Sequence, residues 1–136
     1  RDGGSTRDAP LEFDGRKLRL LIVEDDALIA MDLSVSIGEL GGQVTAVAVT
    51  ARDAVQLAEE LRPDVVLMDV RLRGDLDGVD AAREIRQGGS TPVVFVTGNA
   101  DSRTMQRMRD VEGAEIILKP VLLNELRDAI IRVAGH

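Results

Sequence analysis

From Lys17 onward the chain alternates short apolar runs with stretches of helical spacing. The runs are Leu18–Val23, Val44–Val49, Val65–Met68, Val93–Val96 and Ile116–Leu118, rich in Val, Ile and Leu and too short for helices. Most are apolar at every position, as expected of strands covered on both faces in a parallel sheet. Between them, Ile29, Leu33, Ile37 and Leu40 form one helical stripe, and Ala54, Leu57, Ala58 and Leu61 the next. Ala82 and Ile85 mark a third helix, Met105 and Met108 the core side of a shorter fourth, and Leu123, Leu126, Ile130 and Val133 the last. Punctuation fits. Asp26 is placed to cap the first helix, Thr50 and Asp53 fit a capping box on the second, and Asp77 a cap on the third. Gly41-Gly42 and Gly88-Gly89 stand where helices end and a left-handed residue is wanted. Pro63 and Pro92 stop helices just before strands. Five β-α repeats with right-handed crossovers predict an α/β fold, a (βα)5 doubly wound parallel sheet.

Residues 1–16 lack this periodicity. They are rich in Gly, Asp, Ser and Pro and read as a flexible linker or tail ahead of a domain at 17–136, with Leu11 and Phe13 as residues that can dock. The first residue is Arg1 and not Met, which is read as a sign of an excised or processed fragment.

Composition narrows the chemistry. The chain has 136 residues, enough for one domain with a real core, and is 44% hydrophobic and 30% charged. Its net charge of −7 argues against binding nucleic acid through phosphates. Without cysteine, thiol catalysis and cysteine metal sites are excluded, and one terminal histidine, His136, leaves no His-based metal site or Ser/His triad. No apolar run spans a membrane, so membrane contact is not expected, and a cytoplasmic location is.

In a doubly wound sheet the functional crevice lies beyond the carboxyl ends of the strands. Glu24, Asp25 and Asp26 follow the first run, Asp69 the third, Thr97-Gly98 the fourth and Lys119-Pro120 the fifth. Thr50, after the second, is accounted for by capping. Two ionised carboxylates about 4 Å apart repel by roughly 4 kcal/mol at an effective dielectric near 20, so such a cluster shares protons or recruits a cation. An all-oxygen site with room for water suits Mg²⁺ or Mn²⁺. Lys119 is placed to pair with Asp69 in the empty site, and Thr97 beside small Gly98 leaves a donor and space for an anion. These are the parts needed for phosphoryl transfer to an aspartate.

The stretches LIVEDD, VVLMDVRL, VVFVTG and IILKP, in this order and spacing, make residues 17–134 resemble a response-regulator receiver domain of two-component signalling. That resemblance implies a flavodoxin-like sheet of order 2-1-3-4-5 and a cis peptide before Pro120. It implies Glu24 and Asp25 as the acidic metal-binding pair, Asp69 as phosphoacceptor and ligand, and the backbone carbonyl of Arg71 as a further Mg²⁺ ligand. Thr97 matches the hydroxyl that moves onto the phosphoryl group, and Lys119 the lysine that pairs with it. The domain would promote its own phosphorylation and dephosphorylation without being a conventional enzyme. The implied partner is a histidine kinase or a histidine phosphotransfer protein, with a homodimer through the fourth and fifth helices as a further possibility.

Two features depart from the family pattern. Ile116 stands where the family usually carries Tyr or Phe, so any switch must use the fourth helix and its loops. The loop after Asp69 lacks the common proline, and Gly74 is expected to make it mobile. Asp75 and Asp77 are too closely spaced for a Ca²⁺ loop.

Three rival readings are weaker. A flavodoxin-like electron carrier lacks a hydroxyl-rich phosphate loop and has only Phe13 and Phe95 to stack a flavin. A haloacid-dehalogenase-like phosphatase needs an acid where Arg71 stands. A degenerate receiver acting as a phosphorylation-independent binding module is opposed by the complete acceptor, hydroxyl and lysine set. Two contexts stay open: a single-domain regulator, or the C-terminal receiver of a hybrid histidine kinase, which the linker-like start favours.

Overall fold

The computed structural model describes residues 10–98 and 100–135; residues 1–9 of the expected tail, and His136, lie outside the described residues. In chain order the elements are β1 (Glu12–Phe13), β2 (Arg16–Lys17), β3 (Arg19–Val23), α1 (Ala27–Glu39), β4 (Gln43–Ala48), α2 (Ala51–Leu61) and β5 (Val65–Met68). There follow α3 (Gly78–Gly88), β6 (Val93–Thr97), α4 (Ser102–Arg109), β7 (Glu115–Leu118) and α5 (Leu123–Ala134).

β3 to β7 form one parallel sheet in the order β4-β3-β5-β6-β7, while β1 and β2 form a separate antiparallel hairpin. Counting only the five sheet strands, this is the 2-1-3-4-5 order, so the flavodoxin-like (βα)5 expectation is met. Alternate residues of the central strands enter two cores. Leu21, Val23, Val66, Met68, Val93 and Phe95 pack against α2, α3 and α4; Leu20, Ile22, Val65, Leu67, Val94 and Val96 pack against α1 and α5. The central strands β3, β5 and β6 are buried almost throughout, as their continuous apolar runs require. The edge strands β4 and β7 are only partly covered, and Val47, Val49 and Leu118 are exposed although the sequence placed them in covered runs.

The helix ends are fixed by local chemistry. Asp26 caps α1 by accepting from the N–H groups of Leu28 and Ile29, and Asp101 caps α4 by accepting from Thr104. Thr50 accepts from Asp53 N–H, one half of the expected capping box. The reciprocal box forms at α3, where Asp77 accepts from Asp80 N–H and the Asp80 carboxylate accepts from Asp77 N–H. Gly41 ends α1 with φ +89°, as expected. Gly88-Gly89 does not supply a left-handed cap: Gly89 is extended, φ −179°, because the chain leaves α3 straight into the segment leading to Pro92. The left-handed position at the end of α2 is instead taken by a non-glycine residue, Arg62, φ 48°.

The last part of the expected tail enters the fold. Leu11 is completely buried among Leu18, Leu20 and Ile37, and its N–H donates to Leu40 O at 2.8 Å. Phe13 packs at the edge of the same core.

Candidate functional site

Parallel strands all point their carboxyl ends to one edge, and the loops there carry the predicted chemistry. Glu24 follows β3 and is held by its N–H donating to Ala48 O at 2.9 Å. Asp69 follows β5, its N–H donating to Val23 O at 2.9 Å. These two backbone bonds extend the sheet by one residue on each strand, which fixes both carboxylates before any ligand arrives. Glu24 is 2% exposed and Asp69 8%. Asp25, next along, is more open to solvent. One carboxylate oxygen from each of Glu24, Asp25 and Asp69 lies within 4.8 Å of the others, the spacing of ligands around a single ion.

Lys119 reaches this cluster from the end of β7, positioned by its N–H donating to Thr97 O at 2.8 Å. The peptide bond that follows, to Pro120, is cis, as the resemblance implies. Its ammonium donates to Glu24 Oε1 at 3.2 Å and stands 3.9 Å from Asp69 Oδ1. The expected Lys119–Asp69 pair is therefore the longer of two contacts. Glu24 is the more deeply buried acid and has the greater need of a compensating charge. Its other oxygen, Oε2, accepts from Asp26 N–H at 3.2 Å.

Burial pushes the Asp69 carboxyl up to about 7, and the hydrogen-bonded, negatively charged Glu24 side chain adds to the shift while Lys119 opposes it. A carboxyl so poised is held ready for a cation: a divalent ion would restore its charge. The residues present fit such an ion in donor type, number and spacing, with only hard oxygen ligands. Thr97 closes β6 with a buried side chain, paired in register with Leu118. Arg71 lies two residues beyond Asp69 in the exposed loop. Ile116 is half-buried against the core shared with α3 and α4.

Three features escape sequence reading. A Cβ on Gly78 would overlap the Asp69 carbonyl oxygen, so α3 can start this close to Asp69 only with glycine there. The Gly78 N–H also donates to Val70 O at 2.7 Å. Arg107 of α4 grips the start of α3, donating to both oxygens of Asp77 at 2.7 and 3.1 Å and to Asp80 Oδ1 at 3.2 Å. Arg73 places its Nε 3.9 Å from Asp25 Oδ2. The Asp-Gly pair at 77–78 was a visible signal for the first; nothing local marks either arginine.

An acidic pocket with an apposed lysine, at the carboxyl edge of a 2-1-3-4-5 parallel sheet, is the arrangement of a signalling receiver. The family model described as response regulator receiver domain matches residues 20–131, and the chain belongs to that family, a module of two-component signalling. Among relatives, the transcriptional regulatory protein PdtaR of Mycobacterium tuberculosis is 38% identical over 112 residues, 82% of this chain and 54% of that protein. The phyllosphere-induced regulator PhyR of Methylorubrum extorquens is 40% identical over 102 residues, 74% of this chain and 38% of that protein. The chain thus spans about half or less of the length of these relatives. Among solved structures, the receiver domain of a modulated diguanylate cyclase from Desulfovibrio desulfuricans superposes with TM-score 0.82 at 35% identity, covering 88% of this chain and 94% of that one. The receiver domain of sensor histidine kinase PA1611 from Pseudomonas aeruginosa, which has a magnesium ion coordinated in its active-site cleft, gives TM-score 0.78 at 31% identity over 88% and 99%.

Proposed function

We propose that this receiver takes a phosphoryl group onto Asp69 from a phosphohistidine on a histidine kinase or histidine phosphotransfer protein. An ionised Asp69 oxygen attacks phosphorus, the P–N bond breaks, an acyl phosphate forms, and the departing imidazole takes up a proton. Lys119 stands where it can follow the charge from the carboxylates onto the phosphoryl oxygens, and Thr97 supplies a hydroxyl donor at the end of the neighbouring strand. A divalent ion held by Glu24, Asp25, Asp69 and the Arg71 carbonyl would offset charge on the transferring group. The magnesium ion in the related PA1611 receiver supports Mg²⁺ as that ion.

The observation that carries this reading is the convergence of three carboxylates within 4.8 Å with an ammonium 3.2 Å from one and 3.9 Å from another. A simple strand-end charge needs no such company. Incubation with Mg²⁺ and acetyl phosphate, followed by intact mass, is expected to show one added phosphoryl group in the parent and none in Asp69→Asn. Stoichiometric labelling of Asp69→Asn would overturn the assignment of the acceptor. An unlabelled parent that binds Mg²⁺ and gives amide shifts with beryllofluoride would point to a receiver restricted to its own kinase. One that binds neither would be a binding module.

A further inference from the structure

The acidic triad carries more negative charge than Lys119 offsets, and the structure supplies a second cation. The ammonium of Lys119 serves Glu24 and Asp69. Asp25, the most open of the three acids, has instead the guanidinium of Arg73 at 3.9 Å. Arg73 is held near it by its backbone. It makes an isolated parallel bridge with Thr50, the residue that caps α2, and the Arg52–Asp75 ion pair at 3.1 Å links the same loop to α2. The side chain itself is 78% exposed, free to swing away, while the main chain keeps it within reach.

We propose that Arg73 is a tethered counter-cation of Asp25 that competes with the divalent ion and so sets how tightly the site holds it. The inference rests on the reading of Glu24, Asp25 and Asp69 as a cation site. An arginine and a divalent ion drawn to one carboxylate repel each other, and the loss of that repulsion is an affinity gain for the ion. As an exposed pair, Arg73–Asp25 contributes little to folding. Its effect falls on ion binding, where the competing charge is double. The tether also gives the empty triad a solvent-side cap that leaves when the ion arrives, exposing a mobile positive charge at the mouth through which an anionic phosphodonor must pass.

The test is a Mn²⁺ titration followed by loss of the free-ion EPR signal, with Mg²⁺ as competitor, on the full chain. At about 0.05 M salt, Arg73→Ala is expected to bind Mn²⁺ roughly three- to tenfold more tightly than the parent. Arg73→Glu should bind more tightly still, and Arg73→Lys within about twofold of the parent, since it keeps the charge. The gap should shrink to below about twofold at 1 M salt, where the Debye length is about 3 Å. A purely structural role for Arg73 would weaken binding in every variant, Lys included. Equal or weaker binding by Arg73→Ala, or a gap insensitive to salt, overturns the proposal. Asp25→Asn separates the two readings: if it loses Mn²⁺ while Arg73→Ala matches the parent, the triad stands and the role of Arg73 falls. Absence of Mn²⁺ binding in the parent removes both.

Discussion

In the proposed reaction Asp69 has two conflicting demands on it. A nucleophilic carboxylate must be ionised, yet burial and the adjacent Glu24 favour its protonated form and raise its pKa to about 7. In the unfolded chain the same group ionises near its ordinary value of 3.8. A carboxyl whose folded pKa is raised stabilises the fold below the unfolded value, and that stability is lost as pH rises through the folded one. The metal-free protein is therefore expected to lose stability between about pH 4 and pH 7 from this residue alone. Asp69→Asn, which keeps the shape without the charge, should melt about 3–8 °C above the parent at pH 8 and near it at pH 4, without divalent ions. Thermal unfolding by circular dichroism at the two pH values checks this. An Asn variant that is less stable at pH 8 would mean that Lys119 outweighs burial and Glu24. Mg²⁺ should narrow the difference by stabilising the parent, since an ion needs the ionised acid.

At the scale of elements, what could be read in the sequence follows what each element asks of it. The covered strands β3, β5 and β6 need apolar residues on both faces, and that need is written as continuous runs. Glu24, Asp69, Thr97 and Lys119 are legible as candidates because each immediately follows an apolar run, Lys119 after the partly covered β7. The β1–β2 hairpin was missed because it is short and its signal is a turn. Asp14 and Gly15 have φ of 54° and 75°, the left-handed pair of a two-residue hairpin turn, and Asp-Gly between Phe13 and Arg16 was the cue. Arg107 carries no such mark, since an arginine on a polar helix is usually solvated. Here it matters because α4 has few other anchors: Met108 is its only fully buried residue and Met105 is partly buried. At Asp77 burial opposes the charge, but the Arg107 guanidinium and the Asp80 N–H outweigh it and hold the carboxyl below its ordinary range. Arg107→Ala is therefore expected to cost about 1 kcal/mol overall. Amide exchange at residues 102–109 should speed up more than exchange in α5, as a loosened element opens before the whole. Uniform acceleration across α4 and α5 would show that the clamp stabilises the domain without specifically holding α4. Because Asp77 precedes Gly78, which touches the Asp69 carbonyl, this clamp also joins α4 to the loop that follows Asp69.

Across the whole molecule the two edges of the sheet do different work. The carboxyl edge gathers unlike charges and leaves them partly open. The amino edge is closed by the hairpin, which precedes the region that matches the family at residues 20–131. Arg16 grips Asp64 through both oxygens at 3.0 and 3.1 Å, and the Arg19 N–H donates to the same carboxylate at 2.8 Å. Arg19 also donates to the carbonyls of Leu61 and Arg62 at the end of α2. Leu11, with no exposed surface, fills the space beside Gly42 where a Cβ would lie 3.2 Å from its Cδ1. Truncating a leucine buried this completely costs about 2–5 kcal/mol, from lost burial and the cavity left behind. Leu11→Ala is therefore expected to lower the unfolding free energy measured in urea by that much, whereas Leu28→Ala, at 74% exposed, should change it by under about 0.5 kcal/mol. The carboxyl edge is far from the change, so Mg²⁺ affinity of the folded Leu11→Ala protein should match the parent. A Leu11→Ala protein as stable as the parent would mean that the hairpin only rests on a domain that begins, energetically, at β3.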